Sequence, residues 1–165
     1  MPNDSPDFDF GASPQLYTTT INGHPAQLLG IGQKSGVLTT ITAYNGTKTT
    51  TTGGFFEALS AATGAIDWQV ADPQGQGQYV DDSFVSSANG VMYTGSGAAP
   101  GPDMYALDGA TGQILWRYAS GGAVWSGAAI VNGTVYWGTG YHTEDFGLGY
   151  NGDSNKLYAF TLNGH

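Results

Sequence analysis

Two stretches of the chain are nearly the same. FEALSAATGAIDWQV, from Phe56 to Val70, aligns without a gap on MYALDGATGQILWRY, from Met104 to Tyr118. Ala58 falls on Ala106, Leu59 on Leu107, Thr63-Gly64 on Thr111-Gly112 and Trp68 on Trp116. The agreement continues downstream, where NGVMYTGSG from Asn89 resembles NGTVYWGTG from Asn132. A unit of about 45 residues cannot bury its own apolar side, so its copies must stack on one another. Inside the unit, Met104, Ala106 and Asp108 alternate with Tyr105 and Leu107. After a turn at Gly109 to Gly112, Ile114, Trp116 and Tyr118 alternate with Leu115 and Arg117. Period-two patterning on both sides of a Gly-bearing turn is the mark of a β-hairpin. Two further strands are expected near Val124 to Val131 and Thr134 to Gly138, around the hairpin-turn dipeptide Asn132-Gly133.

Four strands in about 45 residues make one propeller blade. The expected fold is therefore all-β, a partial β-propeller of about three four-stranded antiparallel blades in a single domain over 1–165. Residues 1–54 are expected to form a degenerate or interrupted blade, 55–100 and 101–141 a blade each, and 142–165 a loop plus a closing strand. In this division the strands of residues 55–97 share one sheet and those of 104–138 another. Gln27 to Gly32 (QLLGIG) occupies the place of the VYWGTG strand, and Val37 to Ile41 starts another copy. That copy turns at Asn45-Gly46, but a Thr-rich run replaces the Trp that should follow. At the far end Lys156 to Leu162 (KLYAFTL) matches the first strand of a repeat.

Charge narrows the function classes. Thirteen acids against four bases give a formal net charge of -9. Lys34, Lys48, Arg117 and Lys156 are widely spaced, whereas phosphate recognition needs clustered cations. Nucleic acids and anionic membrane surfaces are set aside on that ground. No apolar run has the length of a membrane span, and Met1 is followed by Pro2, Asn3 and Asp4 rather than by a signal-peptide core. The absence of Cys removes disulfides and thiol chemistry. His24, His142 and His165 lie far apart, with no metal-site spacing, and read as surface residues. Neither Asp81-Asp82 nor Glu144-Asp145 sits in the alternating pattern of a calcium loop.

The phrase ALDGATGQILW resembles the repeat of pyrroloquinoline-quinone (PQQ) enzymes, a repeat that non-enzymatic outer-membrane assembly factors share. DFDFGASPQL (Asp7 to Leu16), GQKSGV (Gly32 to Val37), Trp125 to Tyr141 and NKLYAF (Asn155 to Phe160) extend the resemblance to the C-terminal half of polyvinyl-alcohol-dehydrogenase-like quinoproteins, in the family's order. That family has longer chains and closed propellers of six to eight blades. The resemblance therefore implies a fragment of a PQQ-dependent alcohol dehydrogenase, from a secreted or periplasmic parent, that is not active alone. Its cofactors would be PQQ with Ca²⁺ and its substrate an alcohol or a polymer.

The family's pattern also implies site residues. Lys34, in GQKSGV, stands where the family places a basic residue against the quinone oxygens; as a residue by itself it reads equally as a solvated loop lysine. Asp9, with Asp7, sits in DFDFGASP, which is similar to a family segment that turns a carboxylate toward the propeller axis; either acid also suits a turn cap. Trp125, in GGAVWSGA, offers a flat face to a ring system, or else packs between blades. The family's catalytic base and most of its calcium ligands fall outside the matched segments, so no catalytic or metal-binding residue is assigned. Two other functions remain open. One is a non-enzymatic scaffold that binds partners or completes its ring by self-association. The other is a glycan or polymer binder using Tyr79, Trp125, Trp137 and Tyr141.

Overall fold

A computed structural model describes residues 15–32, 55–74, 83–97, 101–140 and 154–162. They form eleven strands, and no helix occurs among the described residues. β1 (Gln15–Ile21), β2 (His24–Gly32), β3 (Phe55–Ser60) and β4 (Ile66–Ala71) make the first antiparallel sheet, in that order. β5 (Ser86–Ala88), β6 (Val91–Gly95), β7 (Met104–Asp108) and β8 (Ile114–Tyr118) make the second. β9 (Ala129–Val131), β10 (Thr134–Thr139) and β11 (Lys156–Thr161) make a third, of three strands. Each sheet is a meander, the topology of a propeller blade.

The turns follow from residue chemistry. Asn22-Gly23, Asn89-Gly90 and Asn132-Gly133 all have positive φ at both positions. That is the two-residue turn whose twist matches the strands it joins. The Thr-Gly turns are built around the residue that ends the preceding strand. Asp108 Oδ1 accepts from the amides of Ala110 and Thr111, each at 2.9 Å, and from the Thr111 hydroxyl at 3.0 Å. In the first sheet Ser60 stands in its place, and Gly64 and Gly112 take the same left-handed conformation. The register of β3 on β4 slips between Ala58 and Leu59, and that of β7 on β8 between Ala106 and Leu107. The repeat thus copies even its bulge.

The strand grouping differs from the expected one by half a repeat. β3 and β4 pair back onto β2, not forward with β5 and β6. β7 and β8 likewise complete a sheet begun by β5 and β6. The visible repeat therefore runs across the boundary between sheets. The reason lies in packing: Trp68 closes the first sheet by docking on the second. The expected strand from Val124 also starts later, at Ala129, and leaves 123–128 as an irregular segment.

Two cores lie between the three sheets. Tyr17, Leu28, Phe56, Ala58 and Trp68 of the first sheet meet Val85, Met92, Tyr105 and Leu107 of the second. On the opposite face of the second sheet, Met104 meets Val124, Ala128 and Trp137, with Tyr158 and Phe160 packed alongside. Because side chains alternate along a strand, β7 sends Tyr105 and Leu107 one way and Met104 and Ala106 the other. All four are buried.

Candidate functional site

The turns described above gather at one end of the sheets, and the strand ends opposite them carry the buried polar groups. Here the two seams between sheets are closed in the same way. At the first seam Asp72, four residues after Trp68, accepts from the Ser96 hydroxyl and lies 2.9 Å from the Tyr105 hydroxyl. At the second seam Ser120, four residues after Trp116, shares a 2.6 Å hydrogen bond with the Thr139 hydroxyl, and the Tyr158 hydroxyl donates to the Ser120 carbonyl at 2.8 Å. In the repeat Ser96 aligns with Thr139 and Tyr105 with Tyr158. Buried polar groups need such partners, since each one left without costs about 1–3 kcal/mol.

Asp103, just before β7, is fully buried at the same end. Its Oδ1 accepts from the Ser120 amide at 2.8 Å, while its Oδ2 has no hydrogen-bond partner among the described residues. Burial pushes its pKa up, and hydrogen bonds from Ser120 oppose the shift.

Trp125 belongs to this end too. It lies in the segment between β8 and β9, half-buried, beside the fully buried Val124. Its other neighbour pins the segment: the Ser126 carbonyl accepts from Trp137 Nε1 at 2.8 Å and from the Ser83 hydroxyl at 3.2 Å, and the Ser126 hydroxyl donates to the Gly138 carbonyl at 2.8 Å. The second sheet and β10 thus hold the backbone around Trp125 from both sides. Lys34 and Asp9 lie outside the described residues, as do Tyr79, Tyr141, Asn45-Gly46 and Val37 to Ile41. Yet β2 ends at Gly32 and β1 begins at Gln15 at this same end of the first sheet. No group of three acidic or His side chains placed to hold a metal ion is found among the described residues.

At the turn end, Trp68 Nε1 and the Tyr17 hydroxyl each donate to the Gly109 carbonyl at 3.0 Å. One carbonyl of the Asp-Gly-Ala-Thr-Gly turn thus receives two donors from the neighbouring sheet. Trp116 holds the equivalent position in the repeat. It is only half-buried, stacked edge-on to Phe160 with centroids 4.9 Å apart. The position equivalent to Gly109 is Leu162, the last described residue, so no described turn covers the Trp116 ring.

No known protein family and no curated protein matches the sequence. Among solved structures, the chain is similar to a europium-containing methanol dehydrogenase, with 15% identity and a TM-score of 0.49, over 92% of this chain and 26% of that one. It is also similar to BamB from Moraxella catarrhalis, with 13% identity and a TM-score of 0.30, over 95% of this chain and 63% of that one. The chain thus spans about a quarter of the first and under two thirds of the second. No helix of the described residues is long and apolar enough to cross a membrane.

Proposed function

We propose that the chain is part of a PQQ-dependent alcohol dehydrogenase of the polyvinyl-alcohol class, from an exported protein, and that it is inactive by itself. The reading is carried by one placement. Trp125 is held at the strand end where β1 begins and β2 ends, and in the sequence Asp9 precedes β1 and Lys34 follows β2. Trp125 suits the flat face of a quinone, Lys34 its oxygens, and Asp9 a carboxylate contact. The described residues do not fit Ca²⁺, because Asp72 is engaged at a seam and Asp103 stands alone beside backbone amides. A metal would need ligands from elsewhere, and no step is drawn through it. When bound, PQQ would accept the electrons of alcohol oxidation; this chain's part would be to bind and orient the ring.

The test is titration with PQQ, with and without Ca²⁺, followed by tryptophan fluorescence. Saturable quenching, weakened tenfold or more by Lys34→Ala with an unchanged circular dichroism spectrum, supports the reading. Equal affinity in variant and parent removes Lys34 from the site, and no binding by the parent removes the cofactor. A redox dye with an alcohol should show no turnover by the chain alone. A second reading, a scaffold without chemistry, is favoured by the apolar outer face of the third sheet, where Tyr136 and Leu157 are exposed.

A further inference from the structure

The first two sheets place a carboxylate differently at the strand end that holds Trp125. Two places before the aligned residues Glu57, Tyr105 and Tyr158 stand Phe55, Asp103 and Lys156. Four places after the repeat tryptophan stand Asp72 in the first sheet and Ser120 in the second. Asp72 serves its own loop, since its Oδ1 accepts from the Gln74 amide at 2.9 Å. Ser120 serves its loop less well, because the Gly122 amide reaches its hydroxyl only at 3.4 Å. The carboxylate comes instead from the start of the neighbouring strand, where Asp103 Oδ1 accepts from the Ser120 amide at 2.8 Å.

Asp103 closes a ring of hydrogen bonds around residues 120–124. Its side chain takes the Ser120 amide, and its carbonyl takes the Ser96 amide at 2.8 Å. The Ser96 carbonyl in turn takes the Val124 amide at 2.9 Å. Between these two anchors the Ser120 and Thr139 hydroxyls lie against the Gly122 carbonyl, at 2.9 and 2.8 Å, and the Gly140 amide donates to the Ala123 carbonyl at 2.8 Å. Gly121 makes the bend, with a φ of 85°. Gly95 faces Val124 so closely that a Cβ there would run into its side chain and carbonyl. Asp103 is the one ionisable side chain of the ring, and it is fully buried. Trp125 is the first residue after the ring.

We propose that Asp103 is the positioning residue of Trp125: by gripping both ends of 120–124 it sets where the indole stands. The part of this that concerns a ligand rests on the PQQ reading above. A buried amide is costly to leave without an acceptor. Without the carboxylate, Ser120 would turn toward water, and the segment would carry Trp125 with it.

The test labels the whole chain with fluorotryptophan and follows fluorine resonances, that of Trp125 being assigned with Trp125→Phe. Asp103→Asn keeps an acceptor for the Ser120 amide, whereas Asp103→Leu fills the space without one. In Asp103→Leu the Trp125 resonance should shift, with those of Trp68 and Trp137 unmoved, and the Gly122 and Val124 amides should exchange at least tenfold faster. PQQ should bind this variant at least tenfold more weakly. Asp103→Asn should match the parent in all three respects. An unmoved Trp125 resonance in Asp103→Leu overturns the proposal, as does a movement of Trp68 and Trp137 along with it, which would mark a general loosening. A moved ring with unchanged PQQ affinity overturns the role toward the ligand. Failure of the parent to bind PQQ removes the cofactor, and the fluorine and exchange measurements then still decide whether Asp103 holds Trp125.

Discussion

Glu57 is the least expected residue of the first sheet. It occupies the position of Tyr105 in the repeat, is only 4% exposed, and takes one hydrogen bond, from Gln69 at 3.4 Å. Burial lifts its pKa from 4.5 to about 7, against a smaller lowering by Gln69. The folded chain therefore holds this proton more tightly than the unfolded one. Stability should fall as pH rises from about 4.5 to about 7 and level off above, by on the order of 2–3 kcal/mol. Glu57→Gln should flatten that slope in urea titrations at pH 5 and pH 8; an unchanged slope would place the titration elsewhere. The two repeat tryptophans should also differ. Trp68→Ala is expected to cost about 3–5 kcal/mol, as large core truncations do. Trp116→Ala, at a half-covered site, should cost clearly less, and equal losses in denaturant unfolding would contradict the difference in burial. The equivalence of these tryptophans was legible in the sequence. Their unequal burial was not, since it depends on what covers each ring.

Turns and strands were legible where local chemistry decides them. The Thr-Gly and Asn-Gly turns need left-handed backbone that glycine and asparagine tolerate, and their spacing sets the strands between them. Which strand pairs with which sheet is a long-range choice, and the half-repeat offset was invisible because alternation reads alike in either grouping. The hydroxyl and carboxylate closures at Asp72, Ser96, Ser120 and Thr139 were not legible in the sequence. The one signal for them was the alignment of Ser96 with Thr139 in the matched stretches NGVMYTGSG and NGTVYWGTG. A pair of glycine substitutions tests the element scale. Gly64 and Gly112 share a φ of 71° and 73°. A Cβ at Gly64 meets nothing, whereas at Gly112 it would run into Trp68 and Val70. Gly64→Ala should cost about 1 kcal/mol from backbone strain alone. Gly112→Ala should cost at least 2 kcal/mol, as overpacking adds its own typical 1–3 kcal/mol. Equal thermal shifts in the two variants would mean that the ring moves aside freely.

For the molecule as a whole, the second sheet is the shared element. One face of β7 supplies the first core and the other face the second, so neither core survives its loss. Unfolding of the described sheets should thus be a single transition, with far-ultraviolet circular dichroism and tryptophan fluorescence coinciding. Leu107→Ala and Met104→Ala, on opposite faces, should each lower the midpoint, by the equivalent of about 2–5 kcal/mol. Two separated transitions would show that the sheets fold independently. The offset between repeat and sheet has a genetic consequence as well. The second repeat carries its own tryptophan, Trp116, and in the same hairpin the Gly109 carbonyl that receives Trp68 of the previous repeat. A tandem duplication of one unit would bring both halves of a joint with it, fitting its neighbours upstream and downstream at once. Blade number in such a lineage can grow or shrink by unequal crossing-over without the invention of a new contact.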